Sequence, residues 1–422
     1  MKYNKKVLKN GMRIITVPMK DTETVTVMTL VETGSKYETK DINGISHFLE
    51  HMCFKGTKKR LTAKDISYEL DSIGSQSNAF TGNEYTGYWA KAHKRHVSKI
   101  IDIISDIYLN STLPESEMLK EKGVVLEEIN MYEDLPQRKV WDYFDELLYG
   151  DQPAGWTILG LKKNIENLKR IDLVEYREKH YVSSATTIII AGNFNEKKMI
   201  NEIEKSFSSI SHNAKSGKLK VVESQNGPKI KLHYKKTDQS HLVLGFRSFD
   251  LYDDRNWTLS LLDTILGRGM SSRLSQRLRE ELGICYYVRS NISSQTDHGN
   301  FSVSAGVGNG RFEEAVNAIL EELRKLKTEL VSEEELKKAK DYKIGNFYLS
   351  MESSDAFADF YGFQEIYKKK ILNPDEAVRK FQKVTAKDVK DLANELFIDK
   401  NLNLAAVGPL KDEKKLEKIL HI

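Results

Sequence analysis

Two widely separated stretches of this chain carry the same pattern, and that repetition limits the possible fold more than any other feature. Asp172-Leu173, leading through Tyr181 to Ala191-Gly192-Asn193-Phe194, is echoed by Asp388-Val389, leading through Phe397 to Val407-Gly408-Pro409-Leu410. Each pair lies 216 positions apart. A further echo sets Phe54-Lys55-Gly56 against Ile265-Leu266-Gly267, at an offset of 211. Repetition at that distance implies two copies of one structural unit, each long enough for its own core. Between the copies, Ser208 to Pro228 is rich in Ser, Asn, Lys and Gly and lacks apolar periodicity, as a linker does. The division is therefore residues 1–208, a linker at 209–228, and residues 229–422.

Composition excludes several classes. Hydrophobic residues at 40%, charged residues at 30% and only 7 Pro describe a globular chain, not a disordered one. A formal net charge of +4 on 422 residues is too small to argue for nucleic acid or a membrane surface as partner. Two Cys cannot form a disulfide framework. The opening MKYNKKVLKNGMRIITVP has no secretory apolar core, and no window reaches the roughly 18 apolar residues of a membrane helix. The expected setting is the cytoplasm, by default of a bacterium.

Local patterning places the elements. Arg13 to Val17 and Val25 to Val31 read as strands, Gln76 to Ala92 as a strand or hairpin, and Thr186 to Ala191 as a buried strand. Ile45, Phe48, Leu49 and Met52 recur at helical spacing, and Ala63–Ile73, Val97–Leu109 and Glu115–Tyr132 read as further helices.

The first of those helices holds His47-Phe48-Leu49-Glu50-His51. Residues four apart fall about 40° apart on a helix, so both imidazoles leave one face and can share an ion. Glu50 reaches the same region without needing to ligate. The layout is the His-Glu-x-x-His zinc helix in reverse order. Chance produces such a match roughly two times in a hundred chains of this composition. Catalytic zinc takes three protein ligands and keeps one open position. The segment Glu121 to Glu128 offers candidates: Glu121 and Glu128 lie two turns apart on one face, whereas Glu127 points about 100° away.

With Glu128 following at that distance, the motif resembles the inverted-motif zinc peptidases of the pitrilysin and mitochondrial-processing-peptidase family, in its shorter branch. The resemblance spans the chain: Leu8-Asn10-Gly11, Gly44 to Gly56, Asn78-Ala79-Phe80-Thr81, Gln152 to Gly160, and Gly267 to Val288. It implies an α+β fold of two homologous halves, each a mostly antiparallel sheet with helices on one side, closing like a clamshell around a cavity. It implies His47, His51 and Glu128 as ligands of one Zn²⁺ per chain, Glu50 as general base, and Glu121 as a supporting carboxylate. Asn78, Ala79 and Phe80 match an edge strand that takes up substrate as an added strand. Arg279 and Tyr286 match a pair that contacts the peptide, and Asp142 matches a second acidic substrate position. The second half lacks the ligands: Thr258, Leu261 and Leu262 stand opposite His47, Glu50 and His51.

Arg138 occupies a position that is acidic in processing peptidases, which favours general peptide turnover over limited processing of precursors. Cys53 and Cys285 read as small core residues. The expected activity is a zinc endopeptidase acting on peptides or unfolded segments, as a homodimer by similarity to bacterial members. The alternatives are precursor processing and a non-catalytic partner subunit.

Overall fold

Strands and helices follow the periodicity of the sequence closely, and they assemble into two compact units. The computed structural model describes every residue except Met1 and Lys369. One unit comprises residues 1–129, 156–219 and 350–373, and the other residues 130–155, 220–349 and 374–422.

The first unit holds a sheet of six strands, β1 (Asn4–Val7), β2 (Arg13–Pro18), β3 (Thr24–Val31), β4 (Gln76–Thr81), β5 (Thr86–His93) and β6 (Thr186–Gly192), in the order β1-β2-β6-β3-β5-β4. Only β2 and β6 run parallel. The second unit holds β7 (Lys229–Tyr234), β8 (Gln239–Ser248), β9 (Cys285–Ser294), β10 (Gly299–Gly308) and β11 (Leu402–Gly408), in the order β7-β11-β8-β10-β9. Here only β7 and β11 run parallel. Removing β1 makes the two orders superimpose strand for strand. The 216-residue echo maps β6 onto β11, the interior strand of the parallel pair in each sheet, so the duplication is structural as well as textual.

The interior strands β6 and β11 are buried on both faces. In the first unit Ile188 and Ile190 of β6 pack with the helices Ile45–Cys53 and Val97–Asn110. Their neighbours Ile189 and Ala191 face the other way, against Phe357, Ala358 and Tyr361 of the helix Ser354–Lys368. In the second unit Val243, Ala405 and Val407 meet Val140, Phe144 and Leu148 of the helix Pro136–Tyr149.

This corrects two expectations. Helices do not lie on one side only, and the units are not contiguous in sequence. A helix encoded in the first half of the chain covers the second sheet, and one encoded in the second half covers the first. The physical reason lies in the central strands, every residue of which is buried. A strand buried on both faces needs an apolar layer on each side. Residues 212–225 form no regular element and contain the boundary between the units, though Lys218 pairs with Glu84 at 3.0 Å and Lys215 with Glu32.

Candidate metal centre

The helix Ile45–Cys53 is positioned at its start by Glu38. The carboxylate accepts from the Gly44 and Ser46 backbone N–H groups and from Asn43 Nδ2, each at 2.8 Å, and so satisfies donors that a helix N-terminus leaves unpaired. Gly44 has φ of 103°, and a Cβ there would stand 2.6 Å from the Leu159 carbonyl oxygen, so only glycine fits this entry.

One turn in, His47 and His51 bring their Nε2 atoms to 3.2 Å. Glu128, on the helix Glu115–Asp134, places Oε2 3.7 Å from His47 Nε2 and 3.8 Å from His51 Nε2. A tetrahedral zinc ion with bonds of about 2.0–2.1 Å needs ligand atoms about 3.3–3.4 Å apart, close to this triangle. Two imidazole nitrogens and one carboxylate oxygen are also the donor types zinc takes in hydrolytic sites. Among the described residues this is the group of His, Cys, Asp and Glu side chains arranged to hold a metal ion. Glu127 is exposed, as its helical angle requires.

Neighbouring side chains tune the three donors. His51 Nδ1 donates to Glu121 Oε1 at 2.8 Å, while Lys55 Nζ holds Glu121 Oε2 at 2.6 Å. Burial raises the Glu121 pKa, but these two bonds outweigh it and hold the carboxyl below its ordinary range. Burial disfavours a charged His51, yet the bond to Glu121 and the charges of Glu50, Glu121 and Glu128 raise its pKa. His47 is pushed down to about 3 by burial and by His51, which keeps it neutral, the state a ligand requires. Its Nδ1 is buried without a hydrogen-bond partner among the described residues.

Glu50 is 9% exposed and accepts from Thr81 Oγ1 at 2.5 Å. Burial raises its pKa above the ordinary carboxylate value, with Thr81 and His51 pulling the other way. Thr81 closes β4, an outer strand of the first sheet, which among the described residues pairs only with β5. On that strand Asn78 is exposed and Ala79 and Phe80 are half-buried.

Thus His47, Glu50, His51, Glu121 and Glu128 come together in the first unit. Asn78, Ala79 and Phe80 lie in the first unit as well, whereas Asp142, Arg138, Arg279 and Tyr286 lie in the second. Asp142 sits on the helix Pro136–Tyr149 with Lys139 at 3.0 Å, and Arg138 stacks 5.2 Å over Tyr132. Arg279 lies in the irregular helical turn Ser275–Glu281, its Nη1 3.8 Å from Met270 Sδ, and Tyr286 on β9 is 80% exposed. Cys53 is buried with Tyr88 donating to its sulfur, and Cys285 is partly buried. Sequence reasoning missed the roles of Thr81, Lys55 and Glu38. Lys55 was legible, lying one turn beyond His51; Glu38 precedes its helix by a loop and leaves no periodic signal.

Comparison with known proteins places this arrangement. Residues 13–161 match the family described as Insulinase (Peptidase family M16), and residues 167–342 match its companion, Peptidase M16 inactive domain. The zinc protease YmxG of Bacillus subtilis, described as uncharacterized, is 37% identical over 401 residues, covering 95% of this chain and 97% of YmxG.

This chain belongs to peptidase family M16.

An uncharacterized zinc protease of Rickettsia felis is 34% identical, over 96% of this chain and 98% of its own. Among solved structures, a protease from Helicobacter pylori aligns with a TM-score of 0.90 at 24% identity, over 97% of this chain and 99% of its own. The M16 fold therefore extends along essentially the whole chain. The triangle of His47, His51 and Glu128 falls in the part matched by the Insulinase pattern, and Thr258, Leu261 and Leu262, 211 positions on from His47, Glu50 and His51, fall in the part matched by the inactive-domain pattern. No helix among the described residues is long and apolar enough to cross a membrane.

Proposed function

We propose that the protein is a zinc-dependent endopeptidase that hydrolyses peptides or unfolded polypeptide segments. The observation that carries this reading is the triangle of His47, His51 and Glu128 with a buried Glu50 on the same helix. His47 Nε2, His51 Nε2 and one Glu128 oxygen would hold one zinc ion per chain. A zinc ion bound there lowers the pKa of its water to about 7 and polarises the peptide carbonyl.

Thr81 fixes Glu50 Oε2, leaving Oε1 to accept the proton from the attacking water and return it to the amide nitrogen as the C–N bond breaks. The surrounding apolar packing raises the proton affinity of Glu50, as a base that must hold a proton briefly requires. Glu121 orients His51 and keeps its Nε2 directed at the ligand cluster. The free edge of β4, at Asn78, Ala79 and Phe80, would pair with substrate backbone, which lets one site accept many sequences. Arg279 and Tyr286 would contact the peptide, Tyr286 donating its exposed hydroxyl to the developing oxyanion. Asp142 supplies an acidic position, and Arg138 a basic one where presequence selection calls for acid. The reading is therefore peptide turnover, within the enclosing chamber that the family resemblance implies.

The test compares a quenched peptide incubated with the zinc-loaded protein, with chelator added, and with Glu50→Gln. Cleavage lost to chelator, and lost in Glu50→Gln at undiminished zinc content, is the expected result. Equal cleavage by mutant and parent contradicts the mechanism.

A further inference from the structure

A cavity of about 300 Å³ lies within the first unit at the end of β4, bordered by Thr81, the residue that bonds Glu50. Its walls are the rings of Phe80, Tyr85, Trp89 and Phe363, with Phe80 and Phe363 at 5.9 Å and Tyr85 and Phe363 edge-to-face at 5.0 Å. Two carboxylates from the helix Ser354–Lys368, Asp355 and Asp359, complete the lining.

The two acids differ. Asp355 is neutralised by Lys91 at 2.7 Å, which outweighs burial and holds its carboxyl below the ordinary range. Asp359 has no hydrogen-bond or ion-pair partner among the described residues, and burial together with Asp355 pushes its carboxyl up to about 6. An uncompensated carboxylate among aromatic faces is a poor arrangement for the protein alone. It suits a cation, which gains both an ion pair and ring faces to stack on.

Strand geometry ties the cavity to the site. Phe80 packs in the apolar layer with the helix Ser354–Lys368, whereas Ala79 packs in the layer with the helix Ile45–Cys53. Successive side chains of any strand added to β4 alternate in the same way. A peptide residue close to the bond broken would therefore direct its side chain into the cavity.

We propose that this cavity is a specificity pocket for an arginine or lysine side chain of the substrate, with Asp359 as the residue that selects the positive charge. This rests on the peptidase reading and adds a substrate preference to it. It also moves basic-residue selection from the position held by Arg138 to a helix that the sequence separates from the metal ligands by more than two hundred residues.

The experiment uses two quenched peptides that are identical except for arginine or its neutral isostere citrulline, placed in turn at each residue near the cleaved bond. Cleavage is measured with the zinc-loaded full chain, with Asp359→Asn and with Asp359→Glu. Equilibrium binding of the same peptides is measured by fluorescence anisotropy. At one position the parent is expected to favour arginine about tenfold in kcat/KM and in binding, the scale of a charge-assisted contact. That ratio should fall to less than about twofold in Asp359→Asn and survive in Asp359→Glu. Equal ratios in all three proteins, or no preference in the parent, overturn the proposal. Discrimination in binding without any cleavage would leave the pocket standing and defeat the peptidase reading. Cleavage without discrimination would do the reverse.

Discussion

Glu121 joins two side chains of the metal-site segment: His51 donates to one carboxylate oxygen at 2.8 Å, and Lys55 to the other at 2.6 Å. The imidazole is thereby fixed with Nε2 toward His47 and Glu128, and the bonds from His51 and Lys55 together keep the carboxylate ionised. Replacing Glu121 by Gln keeps the shape and removes the charge. Zinc affinity, read by competition with a chromophoric chelator, should fall about 10- to 100-fold, with kcat reduced but measurable at saturating zinc. Unchanged affinity would show that Glu121 acts elsewhere.

Thr81 contributes one hydroxyl to Glu50. In Thr81→Val, Glu50 loses its fixed orientation and kcat should drop about tenfold, while zinc content by mass spectrometry stays that of the parent. Equal losses of zinc and activity would mean that the substitution damages the helix, not the base.

Tyr286 is 80% exposed, so its ring contributes little to packing. Tyr286→Phe is expected to lower kcat/KM about a hundredfold without altering zinc affinity or the thermal midpoint. If cleavage is unaffected, the oxyanion role assigned to its hydroxyl is wrong.

Stability should depend on acid through Glu84, buried beside Lys36 at 2.8 Å and Lys218 at 3.0 Å. Burial raises its pKa, but the two ammonium groups outweigh that and lower it below the ordinary 4.5. The native state thus binds its proton less readily than the unfolded chain. The stabilisation is present above about pH 4.5 and is lost as pH falls through the lowered native value. Glu84→Gln removes the buried carboxylate that Lys36 and Lys218 share and should cost roughly 3–5 kcal/mol at pH 7. Urea unfolding across pH should then show a shallower acid loss for the mutant than for the parent.

Much of this was readable from the chain. Periodicity alone locates the helix Ile45–Cys53, and the 216-residue echo marks the equivalence of β6 and β11. Helical angles separate Glu128 from Glu127 before any coordinates are known. Three things were not readable. The exchange of covering helices depends on which face of a doubly buried strand each long-range partner meets, and periodicity carries no such information. Glu38 acts through a cap whose donors are backbone groups, invisible to side-chain patterning. Asp355 and Asp359 look in sequence like the solvated face of an ordinary helix, and only packing of that helix against β6 and β3 turns them toward a cavity.

The most direct measurement of the central claim is zinc stoichiometry by mass spectrometry on the purified chain and on Glu128→Gln, each equilibrated with a buffered nanomolar zinc concentration. About one zinc per chain in the parent, and far less in Glu128→Gln, is the result predicted by a site of two imidazoles and one carboxylate. Full zinc content in Glu128→Gln, or no zinc in the parent, would contradict it.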